Sequence, residues 1–226
     1  MIAAALLLLA ADAAPTAVVV ELFTSQSCSS CPPAEAALKE IAERDDVVAL
    51  EWHVDYWNDI AVGADGRWRD PFSSTANTDR QRVYNRSLRN RASVYTPQAV
   101  IQGASETVGS RAGEVTRLIE GAERKAAAAI SITGSPDGRL SASVSGPEGA
   151  KIRLVRFTKS ADTRVRGGEN AGLHLDEVNV VTSFETLANA GDAPKRLTFD
   201  SPAADEGCAI LVENEGGPVH AARYCE

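Results

Sequence analysis

Val18-Val19-Val20-Glu21-Leu22-Phe23 is an apolar run of strand character, and Cys28-Ser29-Ser30-Cys31 follows it after four intervening residues. Pro32 and Pro33 come next, and Ala34, Ala37, Leu38, Ile41 and Ala42 then recur at helical spacing. Two prolines suit only the first turn of a helix, where the amide donors lack intrahelical partners in any case. A Cys-x-x-Cys therefore stands between a strand and the start of a helix. The unsatisfied amides and the dipole of a helix N-terminus favour negative charge, which makes a cysteine there a low-pKa nucleophile. Without that context the same four letters equally describe half a zinc site or a plain disulfide.

Val47 to Val54 is a second strand with two faces, Val48, Leu50, Trp52, Val54 and Val47, Ala49, Glu51, His53. Tyr56 to Thr75 has no clear period. Asn77 or Thr78 caps a helix running to about Arg91, whose arginines read as a solvated face or an anion site. Gln98 to Gln102 and Ser105 to Val108 are strands around a Gly103-Ala104 turn, and Gly113 to Ala129 is a last helix. The order β-α-β-α-β-β-α is that of a thioredoxin fold. After Ala129 the helical period gives way to short strands separated by Gly, Pro, Asp and Asn, with Phe184 to Ala190 as a short helix. The expected architecture is α/β: a thioredoxin-like domain over 15–129 with an insertion at 56–76, then a mostly-β, sandwich-like C-terminal domain over 130–226.

The N-terminus reads as an export signal over 1–13. Ile2 to Ala10 is a short apolar region and Ala11-Asp12-Ala13 a small-x-small cleavage site, although no Lys or Arg precedes them. A periplasmic or secreted protein is expected, in a compartment where disulfides persist. The formal net charge of −8 argues against nucleic acid as a partner, and no stable membrane insertion is expected.

Strand direction gathers further residues around the dithiol. The first two strands run parallel and the third antiparallel to them, so Cys28, the His53-Val54-Asp55-Tyr56-Trp57 segment and Thr96-Pro97 share one sheet edge. A cis Thr96-Pro97 bond there would present backbone to a disulfide substrate; a trans proline opening a strand is the plain alternative. Cys28 is the expected attacking thiol and Cys31 the resolving one. Glu21 reads either as a buried proton shuttle for Cys31 or as a salt-bridged carboxylate. His53 and Asp55 either tune the thiolate or form a structural pair. Trp57 and Trp68 line a substrate groove or simply pack. A rival chemistry has Cys28, Cys31 and His53 holding a soft metal such as copper; otherwise no cofactor is expected.

Cys208 and Cys225 have a separate job. Counting outward from a two-residue Gly216-Gly217 turn brings them opposite each other as a non-hydrogen-bonded pair, with Cα atoms about 4.5 Å apart. A structural disulfide is expected. Gly167-Gly168-Glu169-Asn170-Ala171-Gly172 lacks the residues of a phosphate loop and reads as a turn.

Taken together, Val19-Glu21-Leu22-Phe23-Thr24-Ser25-Gln26, the Cys28-to-Pro33 segment, His53-Val54-Asp55-Tyr56-Trp57, Asp70-Pro71-Phe72, Arg80-Gln81-Arg82, Val94 to Gln98, Gly168 to Gly172 and Gly207-Cys208-Ala209 resemble the secreted thioredoxin-like family called domain of unknown function 1223. The resemblance implies a thioredoxin-like domain with an added C-terminal region and no settled activity. From the residues themselves we expect an exported thiol–disulfide oxidoreductase acting on protein or small disulfides, with a redox partner protein. The alternatives are a metal-binding redox protein and a non-catalytic binding module.

Overall fold

The structure, a computed structural model, describes residues 16–60, 62–63, 66–124, 127–134 and 138–225. The expected export signal lies outside them. Strand β1 (Val18–Thr24) pairs in parallel with β2 (Val47–His53) and antiparallel with β5 (Gln98–Ile101), which carries β6 (Ser105–Val108) at the sheet edge. Helix α1 (Pro32–Ala42) and helix α4 (Ala112–Glu120) cover the face made by Val18, Val20, Leu22, Val47 and Ala49. Helix α3 (Thr75–Arg89) covers the other face, where Tyr84 joins Val19, Phe23, Leu50 and Trp52. Its cap is Ser74, whose hydroxyl accepts from the Asn77 amide, rather than Asn77 or Thr78. α4 ends at Glu120, well short of the expected Ala129. The aperiodic stretch after Tyr56 contains a short helix α2 (Trp57–Ile60) and the two-residue strands β3 (Val62–Gly63) and β4 (Gly66–Arg67).

The sheet does not stop at the boundary expected near 129–130. β9 (Lys151–Arg164), β10 (His174–Asn189), β12 (Glu206–Glu213) and β13 (Val219–Tyr224) extend it to eight strands in the order β13-β12-β9-β10-β2-β1-β5-β6. One apolar core runs across the join, from Val19, Phe23 and Trp52 to Val155, Phe157, Val181 and Leu211. These four C-terminal strands are therefore part of one mixed sheet with the N-terminal ones. The sandwich-like packing that was expected is local: β7 (Ala129–Gly134), β8 (Arg139–Ser145) and β11 (Lys195–Asp200) form a second, antiparallel sheet. Its Ala142, Val144 and Phe199 bury against Ile152, Leu154, Ile210 and Val212.

Phe184 to Ala190 is not a helix; residues up to Asn189 belong to β10. Phe184, Leu187 and Ala188 are spaced like one helix face. The spacing arises instead from register shifts between Val181 and Ser183 and between Thr186 and Ala188, which break the two-residue alternation of the strand.

Cys208 and Cys225 are disulfide-bonded with Cα atoms 5.3 Å apart. The route to that register differs from the expected one. The turn closes through Asn214 N to Pro218 O and Gly217 N to Asn214 O, one residue away from a Gly216-Gly217 hairpin. His220 is then an extra residue between the Glu213–Val219 and Val212–Ala221 pairs, and this bulge restores the register. Cys225 N donates to Cys208 O at 2.8 Å, so the pair is hydrogen-bonded, not non-hydrogen-bonded.

Candidate redox site

β1 ends at Thr24, and the chain turns through Ser25, Gln26 and Ser27 to the dithiol. Cys28 N donates to Ser25 O, and Cys31 N donates to Cys28 O. Cys31 is the N-cap of α1, with Pro32 and Pro33 in the first turn, so the cysteines bracket the turn that feeds the helix. They are disulfide-bonded with Cα atoms 5.4 Å apart. The Thr96–Pro97 bond is cis. It stands at the same sheet edge, because Gln98 pairs with Phe23 near the end of β1. Thr96 Oγ1 accepts from Trp57 Nε1 at 2.6 Å, and Trp68 Nε1 donates to Gln26 Oε1 at 3.0 Å. Both tryptophans thus brace the two segments that frame the dithiol.

A C-terminal strap covers it. Asn170 Nδ2 donates to Gln26 O and Cys28 O, at 3.0 and 2.9 Å, and the Glu169 carboxylate accepts from both Ser29 N and Ser29 Oγ. These two bonds hold Glu169 below the usual carboxylate range. Gly168, at φ +71°, lies so close to Ser27 that a Cβ would sit 2.9 Å from its hydroxyl. Both its backbone conformation and its contact require glycine. Under this strap Cys28 and Cys31 are each 0 % exposed, while Ser29 and Ser30 are open to solvent. The glycine-rich stretch is a turn, as expected, but its position over the dithiol carries no local sequence signal.

Glu21 does not reach the dithiol. Odd residues of β1 face α3, and Glu21 is clamped there by Arg80, with Nε to Oε2 at 2.6 Å and Nη2 to Oε1 at 2.9 Å, and by the Tyr84 hydroxyl at 2.6 Å. The salt-bridged alternative describes it. The buried acid on the dithiol side is Glu35, one helical turn after Cys31 and bonded to Thr24 Oγ1 at 2.6 Å. Burial, and then the neighbouring Glu51 carboxylate, push its pKa up to about 8 against the hydrogen bond from Thr24.

His53 and Asp55 are not a pair. Asp55 accepts from Thr75 Oγ1 and Thr78 Oγ1 at the start of α3. His53 is fully buried and its Nδ1 bonds Asp70 Oδ2 at 2.7 Å. Burial acts to lower the imidazole pKa, but Asp70, with Glu51 and Glu177, outweighs it, and together they hold His53 well above its ordinary value. Burial would raise Asp70, and His53 instead keeps it lowered. His53 Nε2 faces Glu51 and Glu177, and the sulfurs of Cys28 and Cys31 are bonded to each other, so the copper donor set is not assembled here. Glu177 arrives on β10, where burial pushes its carboxyl up to about 7 against His53. Glu51 was legible as a neighbour of His53 on one strand face; Asp70 and Glu177 come from distant elements with no spacing signal.

The molecule is thus a mixed α/β protein with a strap-covered Cys28–Cys31 disulfide at a helix N-cap. Residues 19–213 match the family described as "Protein of unknown function (DUF1223)", and the chain belongs to that family. It is similar to the crystal structure of protein AGR_C_4864 from Agrobacterium tumefaciens, at TM-score 0.77 and 28 % identity over 92 % of each chain. It also resembles HBP35 of Porphyromonas gingivalis in fold, at TM-score 0.58 and 14 % identity over 93 % of this chain and 74 % of that one. No curated protein matches it. The two disulfides suit an oxidising, extracellular environment, and no helix among the described residues is long and apolar enough to cross a membrane.

Proposed function

We propose that this is a thioredoxin-like thiol–disulfide oxidoreductase of the periplasm or extracellular space, working through Cys28 and Cys31 on protein or small disulfides. The observation that carries the reading is the disulfide at the N-cap of α1 beside the cis Thr96–Pro97 bond. The strand order β2-β1-β5-β6, with β5 antiparallel, supports the thioredoxin-like part of it.

In the reducing direction, the Cys28 thiolate attacks one sulfur of a substrate disulfide, and the other substrate sulfur leaves as a thiolate. Cys31 then gives up its proton and attacks Cys28 Sγ, expelling the first substrate sulfur. Two electrons pass from the dithiol to the substrate, which gains two protons. The oxidising direction is the reverse. Glu35, on the same helix face as Cys31, is the buried group suited to exchange the proton of Cys31.

The test is a Cys31→Ser protein incubated with oxidised glutathione. The expected product is a mixed disulfide on Cys28 that dithiothreitol releases, absent from Cys28→Ser/Cys31→Ser. A native Cys31→Ser protein whose Cys28 stays unmodified overturns the reading. One observation favours a second reading, a redox-inert binding module on the same scaffold: the complete enclosure of Cys28, whose carbonyl accepts from Asn170.

A further inference from the structure

Three buried polar atoms beneath α1 have no hydrogen-bond partner, and they face one another. They are Glu51 Oε1, His53 Nε2 and Glu177 Oε1. His53 Nε2 lies 3.4 Å from Glu51 Oε1 and 3.7 Å from Glu177 Oε1 with a hydrogen bond to neither, and all three atoms fall within 4.8 Å of one another. An unpartnered buried polar atom costs about 1–3 kcal/mol. Three in one place point to a common partner at their centre.

We propose that Glu51, His53 and Glu177 form a binding site for a divalent first-row cation, for which Zn2+ is the best fit. A tetrahedral zinc holds nitrogen and carboxylate ligands at about 2.0–2.2 Å, which sets neighbouring ligands about 3.3–3.6 Å apart. The two distances from His53 are close to that spacing without rearrangement. Three protein donors leave the fourth position for water.

The remote atom of each donor is already oriented, as ligands in metal sites are. His53 Nδ1 bonds Asp70, which itself accepts from Gln26 N. Glu177 Oε2 accepts from Gln26 Nε2 at 2.7 Å, and Glu51 Oε2 accepts from Val178 N at 3.3 Å. The last bond forms where β10 meets β2 through the single Val180–Glu51 pairing, and it brings Glu51 and Glu177 together. The charge balance agrees. The charged groups acting most strongly on His53 and Glu177 are each other, Glu51 and Asp70, with no Lys or Arg among them. Arg80 serves Glu21 and Glu213 on the opposite face of the sheet.

All three donors are enclosed, so the ion enters as the chain folds. The full chain, with both disulfides intact so that no thiolate competes, is unfolded in urea and refolded with chelator or with equimolar Zn2+, then dialysed. The expected result is one retained Zn2+ per chain, an X-ray absorption edge reporting nitrogen and oxygen but no sulfur neighbours, and a higher melting temperature. Glu177→Gln and Glu51→Gln should each weaken retention by at least the roughly 10–100-fold typical of losing an outer-shell partner. Both should fold without metal, because each removes one carboxylate from an overcharged buried cluster. A wild-type chain that retains no Zn2+, variants that retain it equally, or a crystal grown with Zn2+ that holds only an ordered water at this position overturns the proposal. None of these outcomes depends on whether Cys28 and Cys31 turn over.

Discussion

Glu35 and Glu21 are both buried glutamates near the start of the chain, yet only one belongs to the dithiol. Their difference is a matter of face. Glu21 points to α3 and its arginine, and Glu35 points from α1 toward the sheet. A sequence locates a carboxylate on a strand but does not say which helix will cover that face, which is why Glu21 was readable as a proton shuttle. Glu35 was in principle accessible, since it lies one helical turn from Cys31.

Glu35 has a pH signature. It holds its proton up to about pH 8 in the folded chain, against an ordinary value of 4.5. Between those limits the folded state binds a proton that the unfolded state has lost, so stability falls as pH rises through this window. Urea midpoints of the wild type should therefore drop relative to Glu35→Gln between pH 5 and pH 8, and an unchanged difference contradicts the assignment. Glu169 gives a kinetic counterpart. Its two bonds to Ser29 fasten the strap at the solvent side. Losing about 1 kcal/mol of hydrogen bonding corresponds to about fivefold, so Glu169→Ala should be reduced by dithiothreitol about five times faster than wild type, read by alkylation of Cys28.

Most elements were legible where a single period holds over the whole segment. β1, α1, β2, β5 and β6 fall within a residue or two of their expected bounds. The second half of β10, from Phe184, was not, because two register shifts imitate helical spacing. α3 shows what an element adds beyond its own pattern. Its arginines did not all form a solvated face: Arg80 lies buried between Glu21 and Glu213 and over the Trp52 ring, 4.9 Å from its centroid. Removing one side of a buried ion pair strands the other side and costs about 3–5 kcal/mol. Arg80→Ala should lose stability on that scale in urea unfolding at pH 7. A loss below 1 kcal/mol would show that the two carboxylates find other partners.

At the scale of the molecule, chain order suggested two domains because the periodicity changes at Ala129. The eight-stranded sheet joins them because β10 lies against β2 and carries Val181 into the first core. Such a long-range pairing leaves no local mark. It also explains how a C-terminal strap reaches an N-terminal dithiol. The Cys208–Cys225 bond fastens the last strand to that sheet. Replacing both cysteines by alanine should cost on the order of 3 kcal/mol, seen as a lower melting temperature.

The proposed function stands on thiol exchange by Cys28–Cys31 in the folded protein. Its most direct test is native-state reduction by dithiothreitol, followed by alkylation and mass spectrometry at each cysteine. Cys28–Cys31 should open first, while Cys208–Cys225 and the far-ultraviolet circular dichroism stay intact. Opening of Cys28–Cys31 only together with global unfolding would contradict it.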